Sequence, residues 1–169
     1  MNHFGLAPLA LLLAGAACGG SALPAKAETR WCKQKWLSLT GPVVDDAGIL
    51  RSETEADLAV KLRQLERRSG GQFVIATVAS LQGQPITEYS VCLGRHWGVG
   101  QDGSNRGVMF LVAPNERKAR IEVGYGLEKV LRDEEAGRIM REAIIPRFLA
   151  GDLPGGIEAG ADAIVKELQ

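Results

Sequence analysis

Hard oxygen ligands, rather than thiols or imidazoles, are the groups in this sequence whose types and spacing could do chemistry. Asp102, Ser104 and Asn105 precede an apolar run from Val108 to Val112, and Glu128 and Asp133 follow an alternating run from Lys118 to Val123. If the two runs pair as an antiparallel hairpin, the start of the first and the end of the second must be neighbours. Carboxylates and an amide carbonyl on loops suit calcium or magnesium, which both prefer oxygen. The same residues also fit plainer roles, because Asp102-Gly103 is good turn chemistry and Asp133 a good helix cap. A second acidic pair, Asp45-Asp46, precedes Gly48. Topology puts it toward the opposite edge of the sheet unless the lead-in curls around.

Other chemistries find no support in the sequence. It contains no Gly-Lys-Ser/Thr phosphate loop, no His-Glu-x-x-His helix and no Gly-x-Ser-x-Gly elbow. Beyond His3, His96 is the one histidine, and it reads as a packing residue on a helix beside aromatics. Neither Cys32 nor Cys92 has an arginine six residues later, which disfavours a cysteine phosphatase. Gly124-Tyr125-Gly126 has the look of a dinucleotide fingerprint, but it ends an outer strand and lacks the third glycine.

Lysine plus arginine and aspartate plus glutamate number 20 each over 169 residues. Residues 1–27 hold only Lys26 of these, so the remainder carries 19 against 20, a net charge of −1. A body this neutral offers no electrostatic footprint for nucleic acid or for an anionic membrane. The stretch from Phe4 to Ala17 is uncharged and too short to cross a bilayer core, which needs roughly 20 residues. It fits the apolar centre of a signal peptide, with Ala25-Lys26-Ala27 placing cleavage after Ala27. The alternative is a lipoprotein anchored through Cys18 after Ala16-Ala17, although Gly15 stands where a large aliphatic residue is usual. Export would put Cys32 and Cys92 in an oxidising compartment, where a disulfide is worth about 2–4 kcal/mol. The other reading leaves Cys92 as a buried helix residue and Cys32 as a free thiol.

The elements that must position these groups follow from periodicity. Residues 28–49 show no period and read as an extended lead-in. A helix begins at a Ser52/Glu55 capping box, carries Leu58, Leu62 and Leu65, and ends at Gly70-Gly71. Gln72 to Ser80 is apolar on both faces, as in a covered central strand. A second helix follows Pro85, with Ile86, Ser90, Leu93 and Trp97 on one stripe. After the hairpin come two helices, near Asp133 to Arg147 with Pro146 bending or ending the first, and near Pro154 to Leu168. The strand–helix–strand unit is expected to cross over right-handed. The fold class is α/β: a central mixed sheet with a β-hairpin, flanked by about four helices.

Several blocks resemble the TPM domain family. These are Val44-Asp45-Asp46-Ala47-Gly48-Ile49-Leu50, Trp97-Gly98-Val99-Gly100, Asn105-Arg106-Gly107-Val108, the stretch from Arg120 to Glu128, Pro146-Arg147-Phe148 and Gly151-Asp152. The likeness divides the chain into a signal peptide (1–27), an N-terminal extension (28–39) and a TPM domain (40–169). It implies a small Rossmann-like sandwich, export or membrane tethering, and divalent-metal binding in several members. A plant thylakoid member is linked to acid phosphatase activity and photosystem II repair, and an animal member assists a neurotransmitter receptor. Asp46, Asn105 and Glu128 match motif positions; Asp102 and Asp133 rest on spacing. Many members continue into a membrane helix and a glycine-rich tail, and the sequence ends at Gln169 with neither, so a domain free in the periplasm is expected. The functional expectation is a periplasmic Ca2+- or Mg2+-binding module that acts on membrane or envelope protein assemblies. The alternative is a metal-assisted, acid-phosphatase-like hydrolase of phosphate monoesters.

Overall fold

The computed structural model describes residue 32, residues 34–101 and residues 103–169. The predicted leader, Cys18 and Asp102 lie outside the described residues. In chain order the elements are β1 (Val43–Asp45), α1 (Ser52–Ser69), β2 (Gln72–Thr77), α2 (Ile86–Trp97), β3 (Gly107–Ala113), β4 (Lys118–Val123), α3 (Asp133–Ile139), a π-helical turn (Met140–Ile144), α4 (Ile145–Leu149) and α5 (Leu153–Glu167). They form one mixed sheet in the order β1-β2-β3-β4. The first three strands run parallel, and β4 returns antiparallel. None of the described helices is long and apolar enough to cross a membrane.

The lead-in contains a strand that periodicity does not show. Three residues are too few to display a period of two. Val43 pairs with Ile75, and the Pro42 carbonyl accepts a hydrogen bond from the Ile75 N–H at 2.8 Å. A proline is tolerated there because β1 is an edge strand.

Strand alternation divides the core into two faces. Phe73, Ile75, Val108, Phe110 and Val112 pack with Leu58, Leu62 and Leu65 of α1 and with α3 and α5. Ala76, Met109 and Leu111 point the other way, onto Tyr89, Cys92 and Leu93 of α2. Thus α1 and α2 cover opposite faces, although β1, β2 and β3 follow one another in a single direction across the sheet. Two successive crossovers that step the same way on opposite faces have opposite hands. One of them therefore departs from the right-handed rule, which the great majority of such units obey.

The ends of the helices differ from expectation in detail. Ser52 is the first residue of α1, and no side chain caps that end, so the capping box is not made. Glu53 and Glu55 still place negative charge in the first turn, where the helix dipole favours it. At the other end Gly70 takes the left-handed conformation (φ 66°) and its N–H reaches the Glu66 carbonyl at 2.8 Å. Pro146 does not stop its helix. The chain widens into the π turn just before it and continues to Leu149. On α5, Gly156 and Gly160 receive Phe148 and Ile144; a Cβ at those positions would lie 2.5 Å from Phe148 Cδ1 and 2.7 Å from Ile144 Cδ1.

A strap ahead of β1 crosses α2. Cys32 is disulfide-bonded to Cys92. Trp36 packs edge-on against Tyr89 with centroids 4.9 Å apart, and Trp97 Nε1 donates to the Leu37 carbonyl at 2.7 Å. His96, expected as a packing residue, is exposed.

Candidate functional site

Because α1 and α2 leave on opposite faces, the loops after β1 and β2 diverge. The carboxyl ends of adjacent parallel strands whose loops leave to opposite faces are where open α/β sheets hold ligands, in a crevice between the loops. Asp45 does not face this crevice as a free ligand. Its Oδ1 accepts from the Thr77 hydroxyl and its Oδ2 from the Leu50 N–H at 2.8 Å, so it ties the β1–α1 loop to β2. Asp46 is exposed, and its Oδ2 accepts from the Ala79 N–H at 3.2 Å.

The turn between β3 and β4 lies at the same edge and is bonded to the loop after β2. Asn115 Nδ2 donates to the Ala79 carbonyl at 2.7 Å. Glu116 Oε1 accepts from the Leu81 N–H at 2.8 Å and the Ser80 hydroxyl at 3.1 Å. Its second oxygen, Oε2, is buried with no hydrogen-bond partner. The Leu81 N–H, followed by the Ser80 hydroxyl, holds the Glu116 carboxyl below the usual carboxylate range against a smaller opposing effect of burial. Burial raises the Tyr89 phenol, and the negative charges of Asp46 and Glu116 raise it further.

At the other end of the sheet, roughly 20 Å away along a six-residue strand, three backbone segments meet at close quarters. Gly100 has φ 71°, and a Cβ on it would lie 2.7 Å from Gly107 Cα and 2.9 Å from the Arg106 carbonyl carbon. A Cβ on Gly126 would come within 3.0 Å of the Asn105 carbonyl carbon and closer still to the Ser104 oxygen. Gly124 and Gly126 donate to the Gly107 and Asn105 carbonyls at 2.7 and 3.0 Å. Only glycine fits such contacts. Tyr125 between them is pushed outward and is 74% exposed. Beside it runs a groove of about 540 Å³ whose lining includes Ser90, Arg95, Asn105, Glu122 and Glu128.

The structure thus separates the sequence-predicted ligands. Asn105 and Glu128 share the groove, whereas Asp46 stands at the opposite end of the sheet. Asp133 is the exposed first residue of α3 and does not line the groove. Among the described residues, no three His, Cys, Asp or Glu side chains come close enough to hold a metal by themselves.

The TPM domain profile matches residues 43–167, from the first residue of β1 to the last of α5. The chain belongs to the TPM domain family. Among solved structures, this TPM domain is similar to the N-terminal domain of a P. gingivalis protein, with 32% identity, a TM-score of 0.71, and coverage of 76% of this chain and 82% of that one. It shares its fold with the N-terminal domain of cg2496 from Corynebacterium glutamicum (15% identity, TM-score 0.60, 80% and 85% covered). The same holds for BA42 from Bizionia argentinensis (18%, 0.62, 71% and 81%). No curated protein matches the chain. The strap with Cys32 lies ahead of the matched TPM region.

Sequence reasoning missed Glu116, which looks like an ordinary turn residue next to Pro114 and Asn115. The signal that would have found it is positional. A polar turn directly after a central parallel strand lies at the carboxyl edge of the TPM sheet, where α/β sheets commonly hold ligands. Reasoning from the sequence also dismissed Tyr125 along with the failed dinucleotide motif, although the glycines around it are what expose it.

Proposed function

We propose that this TPM domain is a divalent-cation-binding module of the cell envelope, with Ca2+ or Mg2+ held in the carboxyl-edge crevice by Asp46 and Glu116. The observation that supports this most is the buried Glu116 Oε2, for which no hydrogen-bond partner is found, held by the same β2–α2 loop that bonds the exposed Asp46. A buried carboxylate oxygen without a donor is costly, and a hard cation is the partner that removes the cost. Backbone carbonyls and water would complete the shell, as is usual for calcium. Residues 1–27 and the Cys32–Cys92 disulfide favour work outside the cytoplasm. The balance of charge favours envelope protein assemblies over nucleic acid as partners.

Hydrolysis of phosphate monoesters is the second reading, favoured by the location of the crevice, where a bound metal would polarise a phosphoryl oxygen. Calorimetric titration with CaCl2 and MgCl2 tests the site. Asp46→Asn and Glu116→Gln should each weaken binding about tenfold or more, equivalent to about 1.4 kcal/mol. Asn105→Ala and Glu128→Gln should leave it unchanged. Loss of binding in the second pair alone would move the cation to the groove and sink the crevice assignment. With p-nitrophenyl phosphate in the same samples, metal-dependent turnover that Asp46→Asn removes would establish the hydrolytic reading, and binding without turnover would reject it.

A further inference from the structure

One edge of the sheet is β4, and its backbone is poised to pair. Gly124 N–H donates to the Gly107 carbonyl, and Val112 opposite Ala119 gives its carbonyl to Val78 on the β2 side. Hydrogen-bonded pairs alternate along an antiparallel ladder. Gly107–Gly124, Met109–Glu122 and Leu111–Arg120 are therefore the bonded pairs, and Ala119, Ile121 and Val123 aim their N–H and C=O groups away from β3. Among the described residues no backbone bond to those outward groups is found. Such an edge is a template for a further strand.

The side chains of this edge select their own partner. Arg120 and Glu122 lie on the α2 face, joined to each other at 2.7 Å. A second β4 laid antiparallel matches the outward groups in any symmetric register centred on one of its residues. Centring on Arg120 sets arginine against arginine, and centring on Glu122 sets glutamate against glutamate. Centring on Ile121 sets Arg120 against the partner's Glu122 twice over, in the close, non-hydrogen-bonded positions where opposite charges help and like charges harm. On the other face the same register lays Ala119 against the partner's Val123. That face also holds a groove of about 680 Å³ whose lining includes Ala119, Met140, Ile145 and Leu149. Ile145 and Leu149 are exposed large apolar residues, 39% and 84% respectively.

We propose that two copies of this chain join through the outer edges of β4, about a two-fold axis at Ile121, into one continuous sheet. The pairing supplies about six backbone hydrogen bonds and two reciprocal ion contacts. It leaves the carboxyl-edge crevice of each copy open, so it stands independently of the cation reading.

Light scattering after size exclusion, on protein purified from expression of the full chain, tests this directly. The wild type should run at twice the monomer mass at about 100 µM. Arg120→Glu and Glu122→Arg should each run as a monomer, because each sets like charges across the axis. An equimolar mixture of the two variants should return to the dimer mass, because opposite charges then face each other at every crossing. Wild type that stays monomeric, single variants that stay dimeric, or folded variants that do not reassociate when mixed would each overturn the proposal. Should Glu122→Arg fail to fold, amide exchange of the wild type decides. The Ala119, Ile121 and Val123 amides should gain at least about tenfold protection between dilute and concentrated samples, and concentration-independent exchange would reject the pairing.

Discussion

Alanine at Gly100 should cost about 3 kcal/mol of folding stability, read as a lower urea midpoint with an unchanged slope. Two penalties combine. At φ 71° an L side chain sits in the left-handed region, at about 1 kcal/mol or more. The added Cβ also meets backbone atoms of Arg106 and Gly107 at 2.9 and 2.7 Å. Backbone at the start of β3 cannot swing aside as the tip of a side chain can, because β3 is hydrogen-bonded on both sides. Overpacking of that kind typically costs about 1–3 kcal/mol. Gly48→Ala is the matched control, since Gly48 also has a positive φ (63°) but nothing lies within 4 Å of the place a Cβ would take. It should lose only the conformational part, about 1 kcal/mol. Equal losses at the two positions would show that close approach at Gly100 contributes nothing.

Breaking the Cys32–Cys92 bond should have a comparable effect. The cysteines are 60 residues apart, and closing a loop of that length in the unfolded chain is worth about 4 kcal/mol on the chain-entropy estimate. Cys32→Ala in an otherwise unchanged chain should lower the midpoint accordingly and raise the slope, because its unfolded state is less compact. The strap would then still be held by Trp36 against Tyr89, by the Trp97–Leu37 hydrogen bond and by the bond from Gln84 to Gln34. Residues 43–167 carry the TPM match without Cys32, so the variant should remain folded. A variant as stable as the oxidised wild type would mean that the bond closes no loop that matters.

How far the sequence revealed this fold depended on the length of each signal. The central strands β2 and β3 announce themselves by unbroken apolar runs, Phe73 to Ala76 and Val108 to Ala113, and α1 because its leucines recur at helical spacing over 18 residues. β1 has three residues and no pattern to show. Its presence follows from pairing with Ile75 and Ala76, more than 30 positions away. The candidate crevice was legible only in part. Asp46 lies in a motif, but Glu116 is 70 residues further on, and only the parallel crossovers bring the two to one edge. Asp102, Asn105, Glu128 and Asp133 were grouped by the hairpin's open end. That logic brought Asn105 and Glu128 into one groove, but left Asp133 on the next helix.

The π turn at Met140–Ile144 fixes a count of residues rather than their kind. A π turn holds one residue more than the α turn it replaces. Removing one residue there would rotate everything downstream by about 100°, one step of an α-helix. Phe148 would then swing away from the hollow at Gly156, and α5 would lose the side chain that fills it. Side chains along this stretch are therefore freer to vary over evolutionary time than its length, and insertions or deletions should be rarer here than in the loops on either side.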